Sequence, residues 1–231
     1  VLAVTPLVGL DLALNVSAAA WRPEQTIRAV TIAPRTQVAR NDVDRCERLA
    51  TVVDAIVGEV VRIVGFGETW LPPPGLGKAF GALILADDGL PGSPSNPWQA
   101  RGRACVVIEA LAINAARFPG FIDRAQVQGG VRMELHRRGI DVLTMSAATA
   151  RAIVLYSGRV KKRDVQTRAL AVGLNVVGLS ADELDALIVL RAAELALFHR
   201  EKLVPEVREI AARWVRQVIG VRQAAPSRRS A

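Results

Sequence analysis

Cysteine is almost missing from this 231-residue chain, which holds only Cys46 and Cys105 and no CxxC spacing. That excludes a disulfide-stapled scaffold and a thiolate zinc site. Both thiols read as reduced, buried, small hydrophobes of a cytosolic protein. Histidine is equally scarce: His136 and His199 fall at the ends of expected helices, as surface residues or C-terminal helix cations. No run reaches about 18 uninterrupted apolar residues, so no membrane span or membrane partner is expected. The opening VLAVTPLVGLDLALNVSAAAW has the small residues of a cleavage site but lacks a basic leader, and Asp11 interrupts it. A buried strand is the better reading than a signal peptide. The first residue is not Met, as in a trimmed chain, and no internal repeat is present.

What the chain does have is apolar mass and positive charge. Apolar residues make up 51%, ample for a core, and the length suits one large domain or one domain plus an appendage. The formal charge of +8 points to a polyanionic partner, most simply nucleic acid.

Along the chain, LVGLDLAL, SAAAWR and QTIRAVTIA read as three strands joined by short polar turns. In the next stretch Val43, Cys46, Leu49, Val53, Ile56, Val60 and Ile63 step by three or four, which predicts an amphipathic helix with Asp42 and Asp44 near its start. Residues 65–103 are dense in glycine and proline and hold no period, so they read as an insertion or flap. ACVVIEA is a buried strand ending on Glu109; a helix over Ile122–Arg138, the strand GIDVLTM and two shorter helices follow. A last helix is expected over residues 203–220, with Val204, Val207, Ala211, Trp214 and Val218 on one face, before a solvated tail at 221–231. Residues 1–202 form the main domain. Short links favour antiparallel pairing of the first three strands, and helical crossovers favour parallel additions afterwards.

The stretch LSADELDALIVLRAAELA poses a physical problem. Ser180 and Glu183 have capping-box spacing, so a helix starts there, with Asp182 in its first turn. Asp185 lies on the same helix face, flanked by Leu184, Ala186, Leu187, Ile188, Val189 and Leu190. A carboxylate buried there costs several kcal/mol unless a cation meets it. Glu194, on the same helix, is assigned to the surface or to a salt bridge.

GLDLAL on the first strand, VVIEA on the fourth and ADELDALIV on the helix, with KKRDV before it, resemble the ribonuclease H-like fold. Within that fold they resemble the RuvC-like Holliday-junction resolvases, particularly the phage versions. The resemblance implies an α/β fold: a mixed sheet of three antiparallel strands plus parallel additions, flanked by helices. It also implies a catalytic metal site of Asp11, Glu109, Asp182 and Asp185 holding two Mg²⁺ ions, for which Mn²⁺ substitutes. Such hard ions take oxygen ligands near about 2.1 Å. Set about 4 Å apart, they flank a scissile phosphate.

Lys162 matches the family's basic residue beside that phosphate, with Lys161 its alternate by register. A second basic residue is expected upstream: an ungapped count reaches Arg151, whereas alignment on Gly158 reaches Ile153. Arg159, Lys161, Lys162 and Arg163 are further candidate DNA contacts, as are Arg117 and Phe118, with Phe121 a neighbouring aromatic. The family's aromatic wedge after the fourth-strand Glu is replaced here by ALA, and NVSAAA follows the first-strand Asp in place of the usual Ser and Thr-Gly.

The function implied is a Mg²⁺-dependent endonuclease that resolves four-way DNA junctions as a homodimer, DNA-associated in the cytoplasm of a bacterium or phage-infected cell. The alternatives are another RNase H-like nuclease (flap, exonuclease or transposase-like) and a catalytically inactive DNA-binding module. An actin-like kinase would need a duplicated half, for which this chain is too short.

Overall fold

A computed structural model of the chain describes residues 7–22, 27–34, 41–65, 104–111 and 120–219. The expected insertion, apart from Gly65, and the tail at 221–231 lie outside these residues, as do Arg117 and Phe118.

Five strands form one sheet: β1 (Leu7–Asp11), β2 (Ser17–Trp21), β3 (Arg28–Ile32), β4 (Cys105–Ala110) and β5 (Asp141–Ser146). The spatial order is β3-β2-β1-β4-β5. β1, β2 and β3 pair antiparallel, and β4 and β5 add in parallel. This is the mixed α/β sheet expected from the sequence, three antiparallel strands with parallel additions.

Helices cover both faces. On one lie α1 (Asp42–Val64) and α2 (Phe121–Arg137). On the other lie α3 (Ala147–Leu155), α4 (Val165–Ala171), α5 (Ala181–Phe198) and α6 (Pro205–Ile219). Side chains alternate along each strand, which divides the core into two layers. Val8, Leu10, Ala19, Val106 and Ile108 face α1 and α2. Leu7, Ala18, Ala20, Cys105 and Val107 face α5 and its neighbours. The alanines of β2 leave room for α5, which is buried nearly all round; that explains its lack of an apolar–polar period.

Two expectations are corrected along α1. Val43 is 66% exposed and Cys46 is exposed too, because α1 meets the sheet only further along, through Val52, Ile56, Val57, Val60 and Val64. Ile56 and Val60 of the predicted stripe are buried, and Leu49, Val53 and Ile63 pack at its edge. Cys105 is buried as expected. Glu194 is buried and paired: Arg22 reaches its two oxygens at 2.7 and 3.0 Å, and Arg191 donates at 3.0 Å. In α6, Val207, Ala211, Trp214 and Val215 pack into the same core as α5, and the Trp214 indole donates to the Thr144 carbonyl at 2.8 Å. No helix among the described residues is long and apolar enough to cross a membrane.

Candidate active site

Strand pairing sets two acids side by side. β1 and β4 run parallel with Leu10 opposite Ile108, so Asp11 and Glu109 come next along the ladder. Leu10 and Ile108 face α1 and α2, which turns Asp11 and Glu109 toward the face that α5 covers. Gln128 Nε2 donates to the Glu109 carbonyl at 3.1 Å and ties this strand end to α2. Beyond Asp11, the buried Ser17 hydroxyl accepts from the Ala13 N–H at 3.1 Å and donates to its carbonyl at 3.0 Å, closing the hairpin.

α5 delivers the other pair. Ser180 Oγ accepts from the Glu183 N–H at 3.3 Å, and Glu183 Oε2 accepts from the Ser180 N–H at 2.8 Å, a reciprocal cap. The other Glu183 oxygen accepts from the Thr31 hydroxyl of β3 at 3.0 Å, so the first turn is anchored to the sheet. Asp182 is half-buried there. Asp185, one turn on, is 7% exposed.

The acids feel one another. Burial, then repulsion from Asp185 and Asp182, raises the Asp11 pKa to about 6, with Lys162 and Arg151 pulling it back. Burial, then repulsion from Asp11 and Asp185, raises Glu109 to about 7, again opposed by Arg151 and Lys162. Burial is the larger cause in both, and the added repulsion shows that Asp11 lies near Asp185 and Asp182, and Glu109 near Asp11 and Asp185.

Two cations enter the same pocket. Arg151, on α3, donates from Nη2 to Asp185 Oδ1 at 3.0 Å and from Nη1 to the Val160 carbonyl at 3.5 Å. Lys162 Nζ lies 3.8 Å from both Asp182 Oδ1 and Asp185 Oδ2. The link between them folds tightly. α3 ends at Tyr156 in a left-handed conformation, φ 57°, and a Cβ on Gly158 would stand 2.8 Å from the Ala148 carbonyl. The chain therefore turns back on α3 and brings Lys162, in a short 3₁₀ turn (Lys162–Asp164), to the acids.

No family model and no curated protein matches this chain. Among solved structures it is similar to Thermus thermophilus RuvC, at 13% identity and a TM-score of 0.48 over 80% of this chain and 91% of that one. It is also similar to T. thermophilus RuvC in complex with Holliday junction substrate, at 11% identity and 0.46 over 80% and 90%.

By their own contacts and electrostatic interactions, the six residues Asp11, Glu109, Asp182, Asp185, Arg151 and Lys162 form one constellation. Arg159, Lys161 and Arg163 are exposed on the adjoining loop and turn, Arg163 Nε standing 3.6 Å from Asp164. Ile153, the other upstream register, is sealed in the core. As donors the four carboxylates suit a hard divalent cation. Their present arrangement is not a ready-made cage: among the described residues no group of three or more His, Cys, Asp or Glu is close enough to hold a metal ion. Asp185 is turned toward its two cations instead.

Three roles escaped the sequence. Gly9 is one: a Cβ there would stand 2.4 Å from the Ala186 carbonyl oxygen and 2.6 Å from the Leu190 nitrogen, so α5 lies directly on β1. A lone glycine in an apolar strand is a signal for such an approach. Thr31, which anchors Glu183, has no such signal. The third is Arg151, whose side chain points inward to Asp185.

Proposed function

We propose that this chain is a Mg²⁺-dependent, structure-selective endonuclease that nicks branched DNA, four-way junctions foremost. The observation that carries this reading is the convergence of Asp11, Glu109, Asp182 and Asp185 from two strands and a helix, with burial and then repulsion between carboxylates raising Asp11 and Glu109. A cluster of partly buried carboxylates is costly even with Arg151 and Lys162 beside it, and such clusters concentrate at functional sites.

Asp11, Glu109, Asp182 and Asp185 would hold the metal, two Mg²⁺ ions in the substrate complex or Mn²⁺ in their place. When bound, the metal supplies a water of lowered pKa and neutralises charge on the phosphate. The rest falls to the chain itself. Lys162, largely exposed and within 3.8 Å of two of the acids, is free to swing to a non-bridging phosphate oxygen and offset the charge that grows there. Arg159, Lys161 and Arg163 extend the positive surface along which a DNA backbone would lie. The rigid seat of α5 on β1 fixes the acids relative to one another, as in-line attack requires. The products would carry a 5′ phosphate and a 3′ hydroxyl. A four-way junction has near two-fold symmetry, so paired nicks call for a C₂ homodimer.

The test is incubation with a synthetic four-way junction, with and without Mg²⁺, beside Asp182→Asn and beside flap, duplex and single-stranded DNA. Paired, metal-dependent nicks in the junction that vanish in the variant are expected. Preferential cutting of flaps or ends would move the chain to another nuclease type. Binding of the junction without cleavage in any divalent metal would leave a DNA-binding module.

A further inference from the structure

Arg151 does not behave as a surface arginine. Its side chain is 16% exposed, it donates to Asp185 Oδ1 at 3.0 Å, and its other arm reaches the Val160 carbonyl at 3.5 Å. Two anchors on a planar fork hold it in place. Lys162 differs: 65% exposed, it stands 3.8 Å from each of two carboxylates, beyond hydrogen-bond distance. A lysine so placed returns to water at little cost. One resident cation is fixed and the other is displaceable.

The charges then decide how much metal the pocket takes. Four ionised carboxylates carry four negative charges, and Arg151 with Lys162 offsets two of them. The remainder balances one divalent ion. A second ion would leave the pocket net positive, a costly state in a partly buried site until a phosphodiester brings negative charge of its own. Geometry agrees, since Arg151 already occupies Asp185 Oδ1.

We infer that Arg151 is a resident counter-ion that limits the substrate-free pocket to one tightly held divalent cation. This makes it a positioning residue rather than a DNA contact, and it rests on the metal reading given under Proposed function.

The experiment counts Mn²⁺ bound to the full chain without DNA, in mildly alkaline buffer, by calorimetry and by electron paramagnetic resonance of the free ion. Wild type is expected to hold one ion per chain tightly. Arg151→Met is expected to take up a second ion, or to bind the first at least about tenfold more tightly, as loss of a nearby like charge dictates. Arg151→Lys keeps the charge and should return the count to that of wild type. A purely structural role for Arg151 moves none of these counts upward. Two ions of similar affinity on wild type, a result that does not depend on any variant folding, overturn the inference and leave the metal reading standing. So does an Arg151→Met chain that binds as wild type does. No Mn²⁺ on any form, with or without junction DNA, overturns the metal reading itself and this inference with it.

Discussion

Gly9 lies so close beneath Ala186 that a methyl group on it would stand 2.4 Å from the Ala186 carbonyl oxygen, well inside van der Waals contact. Asp11 is two residues along the same strand face, and Asp185 directly precedes Ala186. The contact therefore sets the separation between acids that come from distant parts of the chain.

Gly9→Ala tests this. The obstructing atoms are backbone, so α5 must lift from β1. Overpacking of this kind costs about 1–3 kcal/mol. Urea unfolding should show that loss, and Mn²⁺ affinity should fall in the molecules that remain folded. Wild-type stability together with wild-type metal affinity would mean the helix does not rest on the glycine.

The raised carboxyls give a pH dependence of defined sign. Asp11 titrates at about 6 and Glu109 at about 7 in the folded chain, both lifted first by burial and then by neighbouring carboxylates. Unfolded, both titrate near about 4. Between those values the folded state binds more protons than the unfolded state, so stability declines as pH rises. The stabilisation is fully present below about pH 4 and is lost on passing through the folded pKa values. Each tenfold difference in proton affinity between the two states corresponds to about 1.4 kcal/mol. With chelator present, urea midpoints should drop between mildly acid and neutral pH, and Asp11→Asn with Glu109→Gln should flatten the curve. Divalent cations should raise the midpoint more at neutral than at acid pH. A midpoint that climbs over this interval in wild type but not in the double variant would reverse the assigned direction.

Asp182 and Asp185 are one helical turn apart and should respond oppositely to neutralisation. Asp185 is the carboxylate partner of Arg151, with side chains 9% and 16% exposed. Asp185→Ala strands a buried guanidinium and should cost about 3–5 kcal/mol. Asp182 is half-exposed, and its charge repels Asp11. Asp182→Asn should leave stability unchanged or slightly higher in chelator, yet lower junction cleavage by more than the roughly 10–100-fold typical of removing an outer metal-site partner. Denaturation and single-turnover cleavage on both variants separate the cases; equal stability losses would contradict the burial difference.

Much of this architecture is legible in residue patterns. The strand run, the Ser180–Glu183 cap and the place of each acid at the end of a strand or the start of a helix all follow from local chemistry, and the structure brings those acids together. What is not legible depends on distance in space. The spacing from Val43 to Ile63 predicts a helix but not which edge of the stripe meets the sheet, so Cys46 reads as interior although α1 exposes it. Arg151 and Ile153 compete as sequence registers, and only the packing of α3 on α5 sends one to the acids and the other to the core. Arg22 and Glu194, 172 positions apart, meet through the crossing of α5 over β2, which no local window contains.

The basic loop makes a prediction about salt. Arg159, Lys161 and Arg163 are exposed and follow the turn that places Lys162 beside the acids, whereas Arg62 lies on α1, across the sheet, engaged with Glu59 at 2.5 Å. Each phosphate neutralised by a cation releases condensed counter-ions, so the logarithm of the binding constant falls with the logarithm of salt by about 0.9 per phosphate. If a DNA backbone runs past the acids, Ala at Arg159, Lys161 and Arg163 should weaken junction binding and reduce the slope by about 0.9 for every phosphate left without its cation. Arg62→Ala should alter neither. Fluorescence anisotropy across a salt series, with Asp182→Asn added to prevent cleavage, reads both quantities. An unchanged slope in the triple variant would place the DNA on another surface, and the acids would then lie away from the strand they are proposed to cut.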